Sequence, residues 1–251
     1  TPSFLIRTSF PEALSRLCGL PGNPVRKRNG GIFVKKVFWS ILVLALCLSQ
    51  VAGFASEAFE EKHFSVEAAQ ISQIDLDLRD RKVVVMESAD DQIHIRYAES
   101  ESEFYRVEND GGCLTVSSES NRKWYQFFGL QAPVSDRTVT LELPLGMAGS
   151  IRISTTNEDI SVSSLFVDGS VSLSVNGGGI VFDTLRAGGA ISLSAKNGGI
   201  QGAIWGRYEE YSIDCTIKKG NSNLASHPRE DGTPLVLSAN NGDITIEFQH
   251  P

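Results

Sequence analysis

From Ser150 onward, apolar and small polar residues alternate in short runs that recur at a fixed step. "SIRISTTNEDISVSSLFVDG" from Ser150, "SVSLSVNGGGIVFDTLRAGG" from Ser170 and "AISLSAKNGGIQGAIWG" from Ala190 align end to end. A divergent stretch follows, "YSIDCTIKKGNSNLAS" from Tyr211, and then "PLVLSANNGDITIEF" from Pro234. The first residue after each turn sets the register: Ile160, Ile180, Ile200, Leu224 and Ile244, at steps of 20, 20, 24 and 20. Period-two alternation, as in Val171, Leu173 and Val175 against Ser172 and Ser174, predicts strands with one apolar face.

Between the strands lie turns rich in Asn, Asp and Gly: Asn157 and Asp159, Gly178 and Gly179, Asn197 with Gly198 and Gly199, and Asn241 with Gly242 and Asp243. Such residues suit turns because positive φ costs them little. No single unit can bury its own apolar face. Stacking the units therefore builds a continuous core, with the five register residues as a ladder and the serines facing solvent.

Residues 64–148 read as a less regular version of the same scheme. Ile74, Leu76 and Leu78 alternate with Asp75 and Asp77, "RDRK" turns the chain into Val83–Val85, and "SADDQ" turns it into Ile93, Ile95 and Tyr97. "ENDGGC" separates Tyr105–Val107 from Leu114–Val116, and "RTVTLELPLGM" leads into the regular half, 149–248. No helix is expected after residue 55. The fold class is all-β: stacked short-strand repeats of about 20 residues in a β-solenoid-like or elongated sandwich-like domain spanning 64–248.

The run "ISQIDLDLRDRKVVVMESADDQIHIRY", then "VTLELPLGM", then the iterated "TTNEDISV", "KNGGIQG" and "NNGDITIEF", resembles the bacterial candidate-adhesin domain with β-strand repeats, nicknamed the toast-rack domain. The resemblance covers about residues 64–248. It implies an envelope or secreted protein, in a family with relatives in envelope-stress pathways. This chain departs from the family pattern at Glu158-Asp159, where Gly-Asp is usual, and in its fourth unit.

The N-terminal part follows different rules. Lys35-Lys36 precede the apolar run from Val37, which ends in Gly53-Phe54-Ala55. That is the layout of a signal peptide over 34–55, cleaved between Ala55 and Ser56; the alternative is an uncleaved membrane anchor, since the run approaches bilayer-spanning length. Residues 1–33 carry no targeting logic. Gly30-Gly31 requires GGN-GGN codons, which can read as a ribosome-binding core, and Val34 can be a GTG start. On that reading residues 1–33 are upstream sequence and translation begins at Val34.

Charge and candidate chemistry narrow the function. The net charge is −7, but residues 1–55 hold seven Lys/Arg and one acid, leaving 16 basic and 29 acidic groups after them, a net of −13. Such a body repels phosphate backbones, so no nucleic-acid partner is expected. His63, His94, His227 and His250 show no metal-ligand spacing, and no nucleophile elbow or phosphate-binding loop is present. Asp159 and Asp243 fall on opposite ends of the stack, too far apart to share a proton or an ion. Asp75, Asp77, Asp90, Asp91, Glu99, Glu101 and Glu103 read as solubilising or edge-protecting charges. No cofactor or metal is expected. Export would permit a Cys113–Cys215 bridge, but Cys215 shares the apolar face of Ile213 and Ile217 while Cys113 lies opposite Leu114 and Val116. Two free thiols fit that pattern better than a bridge.

One segment breaks the repeat grammar: "NRKWYQFFGLQAPVSD", Asn121 to Asp136. Trp124, Tyr125, Phe127 and Phe128 crowd a loop flanked by Arg122 and Lys123. They either fold over one end of the core or form an aromatic–basic contact for a glycan, lipid headgroup or protein. Trp205, Tyr208 and Tyr211 form a second aromatic group. The sequence therefore reads as an exported, extracellular or envelope-associated, non-catalytic binding module with an envelope protein or glycan as partner, and with membrane contact only through an uncleaved N-terminal segment. The alternatives are an envelope-stress component acting through a protein partner and a polysaccharide-active β-helix enzyme.

Overall fold

In the computed structural model the described residues are 57–122 and 132–250. The expectations for residues 1–33, for the signal segment with Ala55 and Ser56, and for Trp124, Tyr125, Phe127 and Phe128 lie outside the described residues.

Period-two burial runs through most strands. The irregular half supplies β1 (Glu60–Glu67), β2 (Gln73–Asp77), β3 (Lys82–Glu87), β4 (Gln92–Glu99), β5 (Glu103–Asp110), β6 (Cys113–Ser120) and β7 (Thr138–Leu143). The regular half supplies β8 (Ser150–Thr155), β9 (Ile160–Val167), β10 (Val171–Val175), β11 (Ile180–Ala187), β12 (Ile191–Ala195) and β13 (Ile200–Trp205). It ends with β14 (Tyr211–Lys219), β15 (Thr233–Asn241) and β16 (Ile244–Gln249). The alternation slips by one residue in β9 before Leu165 and in β11 before Leu185, and β13 buries Ala203 and Ile204 side by side. The only helical pieces among the described residues are 3₁₀ turns of three or four residues.

Two eight-stranded sheets result. One runs β1-β4-β7-β3-β9-β11-β13-β16, and the other β5-β6-β2-β8-β10-β12-β15-β14. Each coil lays one strand in the second sheet, turns, and lays the next in the first. Alternate residues of both sheets close over one core of isoleucine, leucine and valine, with Ile74, Leu76, Ile93, Ile95, Leu114 and Ile160 fully buried. Equivalent residues pair in parallel register: Ile151 with Val171, Val171 with Ile191, and Ile191 with Leu235. On the outer face of the second sheet Thr216, Ser238, Ser194, Ser174 and Ser154 form a row of hydroxyls.

The ladder expected from the sequence differs at one rung. Ile160, Ile180, Ile200 and Ile244 are neighbours in the first sheet, with Val83 beyond Ile160. Leu224 does not stand between Ile200 and Ile244, which pair directly. The fourth unit instead places β14 at the edge of the second sheet and sends residues 221–229 across the end of the stack. Asn221 and Asn223 hydrogen-bond the backbone of Ile244, the Asn223 side chain takes both the N–H and the carbonyl of Ile246, and His227 pairs with Ile213 on β14. One segment thus covers two open sheet edges, with Leu224 half-buried beneath it.

Coil order also departs from chain order. The β2–β3 coil sits inside the stack, flanked by β8–β9 on one side and β6–β7 on the other. Antiparallel strands finish that end: β4 on β7, β1 on β4, and β5 on β6. The edge strands β1 and β5 carry Glu60, Glu61, Glu67, Glu108 and Asp110, which discourage addition of further strands.

Candidate functional site

All turns from the second sheet into the first lie along one edge of the stack. Five residue steps carry the chain from the last paired position to the next rung, as from Thr155 to Ile160, Val175 to Ile180, Ala195 to Ile200 and Ala239 to Ile244. Equal length puts equivalent turn atoms on top of one another. Asn241 Nδ2 donates to Asn197 Oδ1 at 2.8 Å, Asn197 Nδ2 to the Asn176 carbonyl at 2.9 Å, and Asn157 Nδ2 to Asp80 Oδ1.

The glycines here have a different cause from the one expected. None of Gly178, Gly179, Gly198, Gly199 and Gly242 has positive φ. They are needed because successive turns approach closely: a Cβ on Gly178 would stand 2.6 Å from the Glu158 carbonyl, and one on Gly198 would collide with the Gly178 carbonyl. Positive φ on this edge falls instead at Asp80, at +55°, which a side-chain-bonded aspartate tolerates, and at Gly220, at +136°, against the Gly242 carbonyl.

Acids on this edge are engaged. Asp159 Oδ1 accepts the Gly179 N–H at 2.8 Å, and Asp243 Oδ1 accepts the Asn221 N–H at 2.7 Å. Three rungs separate these two aspartates.

The β6–β7 turn is the exception in length. Leu76 and Val83 are seven residues apart, whereas their partners Val116 and Val139 are 23 apart, an insertion of 16. The aromatic segment sits in this insertion. Both of its described ends are clamped. Arg122 binds Glu103 at 2.8 Å, Glu57 at 3.2 Å and Ser102 Oγ at 3.1 Å. Arg137 binds Glu158 at 2.8 Å, the Asp80 carbonyl at 3.0 Å and the Ala132 carbonyl at 2.9 Å. The departure at Glu158 therefore supplies a partner for the insertion.

Beneath Arg122 lies a buried network. Arg81 donates to Glu103 at 2.5 Å and to the Tyr105 hydroxyl at 2.6 Å, with its guanidinium 5.6 Å from the Tyr105 ring centroid. Arg81 and Glu103 are 4% and 7% exposed, so they desolvate together and each depends on the other. Burial, partly offset by Arg81, pushes the Tyr105 hydroxyl up to about 12. At Glu57 burial alone would raise the pKa, but hydrogen bonds from Ser100, Ser102 and Arg122 outweigh it and bring the carboxyl down to about 2. The sequence reads Glu103 as a solubilising or edge-protecting charge and Arg122 only as a flank of the aromatic loop; Glu103 is instead buried and Arg122 is bound to it. Glu103 opens β5, where the alternation already places Tyr105 inward, and that alternation was the available signal.

The other singled-out residues lie elsewhere. His63 and His94, distant in sequence, stack at 5.4 Å on the outer face of the first sheet, where Ser65 Oγ bridges both and Asp90 takes His94 Nε2. Among the described residues no group of three or more His, Cys, Asp or Glu is arranged to hold a metal ion. Cys113 and Cys215 are free thiols on β6 and β14, separated by five strands of the second sheet. No helix among the described residues is long and apolar enough to cross a membrane.

A crystal structure of a candidate cell adhesion protein from Clostridium sporogenes is similar, with a TM-score of 0.54 at 13% identity, over 76% of this chain and 100% of that one. A candidate adhesin from Bacteroides fragilis matches with a TM-score of 0.30 at 13% identity, over 76% of this chain and 97% of that one. At such identity the Clostridium likeness is one of fold. Among proteins of curated function, none matches. The model of the Toastrack DUF4097 family matches residues 71–250, from the approach to β2 through β16 and so every strand among the described residues except β1, and the chain belongs to that family.

Proposed function

We propose that this protein is an exported, envelope-associated binding module without catalytic activity, and that it contacts its partner through the insertion between β6 and β7. One observation carries the reading: in a stack of equal-length turns a single rung is expanded by 16 residues, and both ends of that expansion are fixed by arginines whose partners are acids. A rigid base lowers the entropy cost of presenting a loop to a partner. Trp124, Tyr125, Phe127 and Phe128 are the proposed contacts, since large aromatics supply most contact energy at interfaces. The non-catalytic part of the reading is supported by the turn-edge acids Asp159, Asp243 and Glu158, which are occupied by backbone N–H groups or by Arg137. The description of the Clostridium protein as a candidate for cell adhesion is in keeping with it.

A pulldown from envelope extract with the whole chain and with a Trp124→Ala/Phe127→Ala variant tests the proposal. The variant is expected to lose the captured partner at an unchanged melting temperature. Capture of the same partner by both proteins would reduce the aromatics to packing and remove the insertion as the binding element.

A further inference from the structure

The edge opposite the turns carries a different feature. There the chain leaves β11 and β13 and returns to the second sheet, and the link from β13 to β14 departs from the repeat. A groove of about 500 Å³ opens at this place, lined by Arg186, Trp205, Arg207, Glu210, Tyr211 and Thr233, with His250 at its rim. That volume lies in the range of small-ligand sites.

Each wall has a structural cause. Trp205 ends β13, and its indole is held edge-on by Phe166 at 6.1 Å, so the half-buried ring has a defined position. The Tyr211 hydroxyl donates to the Trp205 carbonyl at 2.8 Å, which ties the start of β14 to the end of β13. Gly206, at φ +135°, joins them: a Cβ there would stand 2.7 Å from Glu210 Oε2 and 3.1 Å from the Tyr211 ring. Glu210 Oε2 accepts the Arg207 backbone N–H at 3.0 Å, so the one carboxylate among the described lining residues closes a turn. Arg186 and Arg207 are exposed and form no ion pair among the described residues.

Two guanidinium groups without a carboxylate ion pair among the described residues therefore share a groove with an indole, in a body of net charge −13 after residue 55. Guanidinium groups select planar carboxylates, which they hold through paired N–H donors. An indole offers a flat apolar surface suited to the C–H face of a sugar ring, with the ring hydroxyls left to polar groups at the edge. A small inorganic anion would use the arginines and leave the indole idle, and a neutral sugar would do the reverse.

We propose that this groove binds an acidic sugar, a uronate unit of an anionic polysaccharide, with the carboxylate on Arg186 and Arg207 and the ring against Trp205. The site shares no residue with the described ends of the β6–β7 insertion or with its aromatics, so it stands or falls independently of the function proposed above.

Calorimetric titration of the whole chain with tetragalacturonate, and with the same oligomer methyl-esterified, tests it. The acid form is expected to bind, with the ester at least tenfold weaker. Arg186→Gln/Arg207→Gln should weaken binding of the acid at least tenfold without moving the melting temperature, and Trp205→Ala should weaken it as well. Trp124→Ala/Phe127→Ala should bind as wild type does, because it alters only the insertion. No binding of tetragalacturonate, equal binding of the ester, undiminished binding by the arginine variant, or displacement by an equal concentration of inorganic phosphate would each overturn the assignment.

Discussion

Replacing Gly178 by alanine isolates the contact that sets the spacing of the turns. The added Cβ would stand 2.6 Å from the Glu158 carbonyl carbon and oxygen, whereas carbon–oxygen contacts settle at about 3.3 Å or beyond. The two rungs must part by roughly 0.7 Å at this point. The bonds across the gap, Gly179 N–H to Asp159 Oδ1 at 2.8 Å and Ile160 N–H to the Gly179 carbonyl at 3.0 Å, would stretch past useful length. Each is worth about 1 kcal/mol net, and residual crowding adds to the loss, so about 2–3 kcal/mol is expected. For a body of this size that lowers the melting temperature by about 5–10 °C, read by circular dichroism. Gly111→Ala is the control: φ is +58° but nothing lies within 4 Å, so only the left-handed penalty of about 1 kcal/mol applies. A Gly178→Ala protein melting within 2 °C of wild type, or one more stable than Gly111→Ala, would refute close stacking as the reason for the turn glycines.

Other perturbations test the buried charges and the thiols. Glu103→Ala leaves Arg81 buried without its carboxylate and should cost about 3–5 kcal/mol in urea unfolding, while Arg81→Met/Glu103→Met should recover much of that loss. Glu57, held at about 2 against an ordinary 4.5, binds protons more weakly folded than unfolded, so its contribution is present above about pH 4.5 and disappears as pH falls towards 2. The full shift would correspond to about 3 kcal/mol, and partial exposure brings the expected figure nearer 1, so Glu57→Gln should flatten the stability–pH curve in that window by about this amount. Cys113 and Cys215 are six strand steps apart in one sheet, about 29 Å at the usual spacing and far beyond disulfide reach. Reducing and non-reducing melting temperatures should therefore coincide, and a shift on adding reductant would contradict the strand order.

The strands and their inward faces could be read from the sequence because period-two alternation is local: Val171, Leu173 and Val175 are buried where the pattern puts them. Coil order could not. Every coil presents the same apolar face and the same turn length, so nothing local says that β3 pairs with β9 and β7 rather than beginning the stack. Spacing alone points to Leu224 as a rung of the ladder. The 44 residues from Ile200 to Ile244 fit two rungs arithmetically, yet β14 and the segment after it close the end of the stack. The clamp on the insertion joins Arg122 to Glu57 and Arg137 to Glu158 across long sequence separations, so no short motif announces it. The opposite groove gave a partial signal in the cluster Trp205, Tyr208 and Tyr211, but the arginines complete it only when Arg186 on β11 comes beside the link that holds Arg207.

Export underlies every part of the proposed role, because a binding stack serves a surface only if it reaches one. Fractionation of producing cells with intact-mass analysis of the native chain tests this most directly. The account predicts a protein in the envelope or medium that begins at Ser56 and carries two free thiols. A cytoplasmic protein that retains residues 34–55 would contradict it.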